Sequence, residues 1–365
     1  MALRTEMDRV RLAVVGAGWI SQIAFLPGAA QAPGVEVVAL VSGSEAAARS
    51  LAAFHGIAQV VPYEGFDALM ASDTVDAVYI ALPNSMHCDY AVRAARAGKH
   101  VLVEKPLALD EAECRAIIAA AEAAGVWLMT AYRLHSDPGT VAVLEAVRAG
   151  EIGDPRYIQS AFSFQSAPDN HRLKATHWGG PLQDIGVYCL NAARHVFGAE
   201  PVQVMAMAER GPGDARFAEV DEAVAVTLRF PGGRLAQFTA SFGAADVDMY
   251  RIVGTEGEIV VDPGFLFQTD VGFALRRGGQ EHRRHTAEPC DHFGAMATYF
   301  ADCIRDGVRP EPDGEEGMAD VIIMRAIEES LATGRAVGLD LPERKVHPGA
   351  GTARQVARTE RRLVL

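Results

Sequence analysis

A glycine pair after a β-branched run, a lysine just before a proline, and an aspartate four residues ahead of a tyrosine are the positions in this chain whose types and spacing suit chemistry. The run Val10–Val15 leads straight into Gly16-Ala17-Gly18-Trp19-Ile20-Ser21. There a first glycine permits a tight strand-to-helix turn, and a second lets a pyrophosphate approach backbone N–H groups at the helix start. Gly16 and Gly18, with Trp19 and Ile20 beside them, are expected to bind a dinucleotide. Ser21 fills the third position of the fingerprint, small enough for close packing.

The next β-branched run ends in Leu40-Val41-Ser42-Gly43-Ser44, where a site selecting NAD would carry an acidic residue. Without that carboxylate a 2′-phosphate is not repelled. Ser42 and Ser44 can donate hydrogen bonds to it and Arg49, one turn on, can add charge. NADP is expected over NAD, and the same Ser-Gly-Ser also suits a helix N-cap.

Lys105 lies in Val103-Glu104-Lys105-Pro106, at the end of another run, and Pro106 restricts it to extended backbone. At the carboxyl edge of a parallel sheet such a lysine can hydrogen-bond a reacting oxygen and assist proton transfer; the plainer alternative is a solvated lysine. The segment Leu82-Pro83-Asn84-Ser85-Met86-His87 occupies the same edge. Further along, Asp184 and Tyr188 are spaced i, i+4 in a helical stretch from Pro181 to Phe197, so carboxylate and phenol share one face. They can meet one small molecule there, or simply pack on a sheet.

Positioning these groups requires two kinds of element. Runs at Val10–Val15, Val35–Val41, Ala58–Val61, Ala77–Leu82, His100–Val103 and Val126–Met129 alternate with Ala-rich helical stretches, the rhythm of a doubly wound parallel sheet. After Arg133 a helix at 137–149 gives way to strands at 157–164, 202–208, 220–230, 234–242, 250–253 and 258–261, with a hairpin signal at Pro231-Gly232-Gly233. Helices return at 293–305 and 317–332. The expected fold is α/β: a Rossmann domain over 1–133, an α+β domain with an open-faced, mainly antiparallel sheet over 134–340, and a mobile tail over 341–365, whose residues 343–365 hold six Lys/Arg against two Glu.

Composition narrows the function classes. With 34 Lys and Arg against 47 Asp and Glu, a net charge of −13 argues against nucleic acid as partner. No apolar run reaches the ~18 residues of a membrane span, and residues 1–10 lack the core of a signal peptide, so a cytoplasmic protein is expected. Five cysteines without a CxxC indicate neither a disulfide framework nor a zinc knuckle. His282 and His285 fall in a basic run with no ligand evidently placed to complete a site, so no metal is expected.

The Gly16 fingerprint, Glu104-Lys105-Pro106 and Asp184-Ile185-Gly186-Val187-Tyr188 together resemble the Gfo/Idh/MocA oxidoreductase family, over roughly residues 10 to 340. Leu40-Val41-Ser42-Gly43, Leu82-Pro83-Asn84-Ser85 and Gly314-Glu315-Glu316-Gly317-Met318 are similar to segments of its glucose-fructose oxidoreductase branch. The resemblance implies an active site between a Rossmann domain and an oligomerising sheet (dimer or tetramer), with Lys105, Asp184 and Tyr188 catalytic. It implies cofactor contacts from Ser42, Gly43, Leu82, Asn84, His87, Glu104, Lys105 and Arg133, and substrate contacts from Lys105, Arg172, Asp184 and Tyr188. Many relatives carry His in place of Tyr188; Tyr there favours a pyranose, and the reaction implied is oxidation of a cyclic aldose at C1 to a lactone, with or without reduction of a second sugar. An inositol or trans-dihydrodiol dehydrogenase is the nearest alternative, and a non-enzymatic NADP-binding sensor the alternative of another class. The branch's N-terminal arm is not visible, Ala47 stands about where it has a basic phosphate-site residue, and His171–Trp178 matches it only partly.

Overall fold

The structure is a computed structural model in which residues 9–365 are described, and the chain forms two compact units. The first comprises the described residues up to Pro138 together with Pro289–Gly317 and Gly351–Leu365. Its strands are β1 (Val10–Val15), β2 (Val35–Val41), β3 (Gln59–Val61), β4 (Ala77–Ile80), β5 (His100–Val103) and β6 (Leu128–Thr130). They form one sheet in the order β3-β2-β1-β4-β5-β6, every pairing parallel. β1, β4 and β5 are apolar almost throughout and buried, as strands covered on both faces must be. The strand order reverses between β1 and β4, so the crevice for a ligand opens where these two strands end. Two helices are stopped and started by local chemistry: Asp110 and Asp291 accept from the N–H groups of Glu113 and Gly294, at the starts of Glu111–Ala124 and His292–Asp306.

The second unit comprises Gly139–Glu288 and Met318–Ala350. After β7 (Pro155–Ser163) come β8 (Gln203–Glu209), β9 (Ala223–Phe230), β10 (Arg234–Ser241), β11 (Val247–Gly254), β12 (Glu258–Val261), β13 (Phe273–Arg277), β14 (Gln280–His285) and β15 (Val337–Gly338). They form a nine-stranded sheet in the order β14-β13-β12-β11-β7-β10-β9-β8-β15, antiparallel except where β10 runs parallel to β7. Alternate residues of β8, β9 and β10 are buried, and the opposite face exposes Met207 (72%), Met205 (49%) and Leu235 (42%). The sheet is open on that side.

Three features depart from expectation. β13 and β14 were not anticipated; Gly278 and Gly279, both at positive φ, make the two-residue turn between them, and β14 is a charged edge strand holding His282 and His285. Residues 289–317 return to the first unit rather than extending the second. Residues 351–365 are packed on the first unit, not extended from it. Thr352 donates to the His135 carbonyl, Arg354 pairs with Asp302, Val356 is buried against Cys290 and Ala295, and the Leu365 N–H reaches Gln22 Oε1 at 2.7 Å. A polar, basic segment reads as a solvated tail until the carboxylates and carbonyls that meet it are known. No helix among the described residues is long and apolar enough to cross a membrane.

Candidate active site

In the first unit the glycine turn is built around one close approach. Gly16 has φ +104°, and a Cβ there would lie 2.3 Å from the Ala81 carbonyl oxygen, so only glycine lets the loops after β1 and β4 meet at the reversal point. Ser21 Oγ donates to the Gly16 carbonyl at 2.6 Å and Gln22 Nε2 to that of Ala17 at 2.7 Å, fixing the turn from within the helical segment that follows. Gly18 faces open space, with nothing within 4 Å of a Cβ placed there. Trp19 stands half exposed beside it, and Leu82 wedges against Gly16 from the other loop. A backbone cradle at a helix start, open only where a Cβ would stand, fits a dinucleotide pyrophosphate.

At the end of β2 the Ser44 N–H donates to Ser42 Oγ at 3.1 Å, which leaves the Ser42 proton available to a ligand. Gly43 lies under the Tyr63 ring, 3.0 Å from a Cβ built on it. Tyr63 is a wall of this turn that sequence reasoning missed; its one signal is its place just after β3. Arg49 departs from expectation: its guanidinium pairs with Glu45 one turn earlier, and both are well exposed. Such a pair is worth little, but it turns the arginine along its own helix instead of toward Ser42.

Beyond β5, Glu104 accepts from the Tyr79 hydroxyl at 2.7 Å. Its residue keeps some exposure, yet dense protein around the carboxyl pushes its pKa above the usual carboxylate range, against the opposing pull of Lys105, the Tyr79 bond and Arg133. Lys105 is half buried, and the Lys105–Pro106 peptide is cis. Gly317 lets a helix start sit directly on Leu107, a Cβ there falling 2.8 Å from Leu107 Cβ, so the strand end carrying Lys105 is supported from below. Asn84 lies in the short turn Asn84–Met86, half buried at the same edge.

His87, expected to touch the cofactor, turns its ring nitrogens toward backbone carbonyl oxygens. It is fully buried, and its two ring nitrogens lie 2.9 Å from the Leu82 and Pro106 carbonyl oxygens. Its ring lies between the loops after β4 and β5 and, when neutral, donates to one of the two carbonyls; burial lowers its pKa. Arg133 is also buried, at 3% exposure, with Nη1 3.1 Å from His292 Nδ1.

Burial pulls His292 down to about 4, Asp137 opposing and Arg133 adding to the shift. A base whose folded pKa lies below its unfolded value of ~6.5 binds its proton first in the unfolded chain. Its stability contribution is complete above that value and is lost as pH falls from ~6.5 toward 4, at up to ~1.4 kcal/mol per pH unit. Urea melts between pH 7 and 4.5 are therefore expected to show a shallower acid loss in His292→Gln than in the parent, and equal slopes would refute this.

In the second unit the segment Leu182–Gly186 is wound as a π-type turn before the α-helix Val187–Phe197, where a single α-helix was expected. Wider winding of this kind is common at functional positions. The Arg172 guanidinium meets Asp184 at 2.9 Å, both half buried, so two of the expected substrate residues are brought together. Tyr188 is half buried with its ring against Phe162 and Phe265, at centroid distances of 5.9 and 6.3 Å. Arg194, buried on the same helix, is held by Glu200 at 2.6 Å and Asp320 at 2.8 Å. Sequence spacing gave no sign of that anchor, because Asp320 is distant along the chain. Removing one member of such a buried set leaves an uncompensated charge.

Comparison with known proteins agrees with this fold. Residues 10–132 match the model of an oxidoreductase family with an NAD-binding Rossmann fold, and residues 140–260 match the GFO/IDH/MocA C-terminal domain. The chain is 31% identical to D-xylose 1-dehydrogenase [NADP(+)] of Haloarcula marismortui, over 91% of this chain and 93% of that protein. It is 35% identical to dTDP-3,4-didehydro-2,6-dideoxy-alpha-D-glucose 3-reductase of Streptomyces violaceoruber, over 88% of this chain and 94% of the relative. Among solved structures, aldose-aldose oxidoreductase from Caulobacter crescentus complexed with glycerol superposes with a TM-score of 0.86 at 33% identity, covering 91% of this chain and all (100%) of that one.

Proposed function

The chain belongs to the GFO/IDH/MocA oxidoreductase family, and from that premise we propose that it is an NADP-dependent sugar oxidoreductase that converts the C1 hydroxyl of a cyclic aldose to a lactone. The observation that carries the reading is the Arg172–Asp184 pair at the foot of the helix bearing Tyr188, a fixed carboxylate and a phenol suited to a polyhydroxylated ring. The names of the xylose dehydrogenase and aldose-aldose oxidoreductase relatives support the substrate class.

Gly16 and Gly18 would hold the pyrophosphate of NADP, and Ser42, Gly43 and Ser44 its 2′-phosphate; bound there, it would supply the acceptor for the hydride leaving C1. Lys105 would donate a hydrogen bond to the reacting oxygen, and Tyr188 would take the hydroxyl proton while its own O–H proton leaves to solvent water. Asp184, held by Arg172, accepts from sugar hydroxyls and fixes the ring orientation. Purified enzyme assayed on aldoses, inositols and dihydrodiols with NADP and NAD should turn over an aldose with NADP; no turnover of any aldose refutes the proposal. Adding a second sugar to the same assay without net cofactor reduction tests a coupled cycle.

Cofactor choice has its own test. Ser42→Asp keeps an acceptor for the Ser44 N–H but sets a carboxylate against the 2′-phosphate, so the NADP-to-NAD affinity ratio is expected to fall about ten- to hundredfold, the worth of one hydrogen bond to a charged group. An unchanged ratio would place the 2′-phosphate elsewhere. The exposed Met205, Met207 and Leu235 face supports assembly into a homo-oligomer, which light scattering checks. The five free cysteines, four of them buried, suit a cytoplasmic protein.

A further inference from the structure

Trp178 has φ 51° and ψ 49°, and it is the non-glycine residue with positive φ among the described residues. A bulky side chain rarely holds this conformation unless its surroundings impose it, and such positions cluster at functional sites. The surroundings here are explicit. The indole Nε1–H donates to Glu328 Oε1 at 2.6 Å, Gln183 Nε2 donates to the same oxygen at 2.9 Å, and Arg325 Nη1 donates to Glu328 Oε2 at 2.7 Å. Arg325 also lies over the indole, 4.1 Å from the ring centroid. One carboxylate thus holds the strained residue, the turn carrying Asp184, and the cation covering the ring.

The backbone around Trp178 leads directly to Arg172. The Gly179 N–H donates to the Lys174 carbonyl at 3.1 Å and the Gly180 N–H to the Arg172 carbonyl at 2.8 Å. A Cβ on Gly179 would stand 2.2 Å from the Arg172 oxygen, so the loop closes on itself with no slack. The Asp184 N–H then donates to the Gly180 carbonyl at 3.2 Å. Turning Trp178 out of the left-handed region would redirect Gly179 and Gly180 and loosen both ends of the Arg172–Asp184 pair.

We propose that Glu328, through Trp178 and Gln183, is a positioning residue that holds the loop 172–180 so that Arg172 clamps Asp184, and thereby sets affinity for the sugar. The sugar part of this statement rests on the function proposed above; the clamp does not. Trp178 and Glu328 do not touch the reacting atoms and act through Arg172 and Asp184.

The test uses the full chain as parent, Glu328→Ala, Glu328→Gln and Trp178→Phe, with backbone amide exchange, steady-state kinetics on D-xylose, NADP affinity and melting temperature as readouts. Glu328→Ala and Trp178→Phe are expected to raise amide exchange over 177–184 by ~10-fold or more, as one lost hydrogen bond to a charged group allows. The sugar KM should rise ~10-fold while kcat and NADP affinity stay within ~3-fold. Glu328→Gln keeps an acceptor for the indole and should restore both exchange and KM toward the parent. Unchanged exchange over 177–184 overturns the clamp. Loosened exchange with an unchanged KM overturns the control of sugar affinity, as does a KM loss that Glu328→Gln does not rescue. If Glu328→Ala fails to fold, Trp178→Phe decides by the same readings. If the parent turns over no aldose, the proposed reaction fails while the exchange measurement still decides the clamp.

Discussion

Lys105→Met is expected to lower the rate of single-turnover hydride transfer by ~10²-fold or more, the typical contribution of a positioned acid–base group. The methionine stem fills a similar volume, and the glycine turn proposed to bind pyrophosphate is built from other residues, so NADP affinity should remain within ~3-fold. The loss belongs to charge stabilised only as the reaction proceeds, which separates it from uniform binding. Lys105 also restrains the pKa of Glu104, so the variant should carry a Glu104 that protonates more readily still. Near-parental transfer by Lys105→Met would refute the mechanism even though the family assignment stands; a fall in melting temperature with intact transfer would make the lysine structural.

Tyr188→Phe is the second large effect expected. The ring would keep its contacts with Phe162 and Phe265, and melting temperature should stay close to the parent value. Only the hydroxyl is lost. If the phenol carries the proton, transfer falls by ~10²-fold, with NADP affinity unaffected. A mild effect would mean that Tyr188 contributes packing, the bland reading of an i, i+4 pair on a helix facing a sheet.

How much of this was legible beforehand differs between the two units. β1, β2 and β5 begin and end where apolar runs and punctuation placed them, because a parallel strand buried on both faces leaves a continuous β-branched signature. β14 escaped notice because an exposed edge strand carries charge instead of alternation, and β13 because its apolar run is only Phe273-Ala274-Leu275, although Gly278-Gly279 was a readable turn. Within the candidate site, Gly16, Gly18, Ser42, Lys105, Asp184 and Tyr188 were singled out from local context: a glycine after a strand, a missing acid, a lysine before proline, a helical spacing. His87 and Arg49 were singled out on the same kind of context, and their partners in the structure lie elsewhere. The sequence neighbours of His87 suggested a ligand loop, but its ring is spent on two backbone carbonyls, and Arg49 turns to Glu45 instead of Ser42.

By itself the sequence determined the α/β architecture and the place of the glycine turn after β1, since each follows from periodicity or turn chemistry within a few residues. Tertiary structure alone decided that Arg172 pairs with Asp184, that Glu328 holds Trp178, that Asp320 and Glu200 anchor Arg194, and that residues 351–365 dock on the first unit. The physical reason is common to all four. A charge or a polar tip has no preferred partner along the chain. It is satisfied by whichever counter-group folding brings within ~3 Å, and that distance is set by packing between elements far apart in sequence.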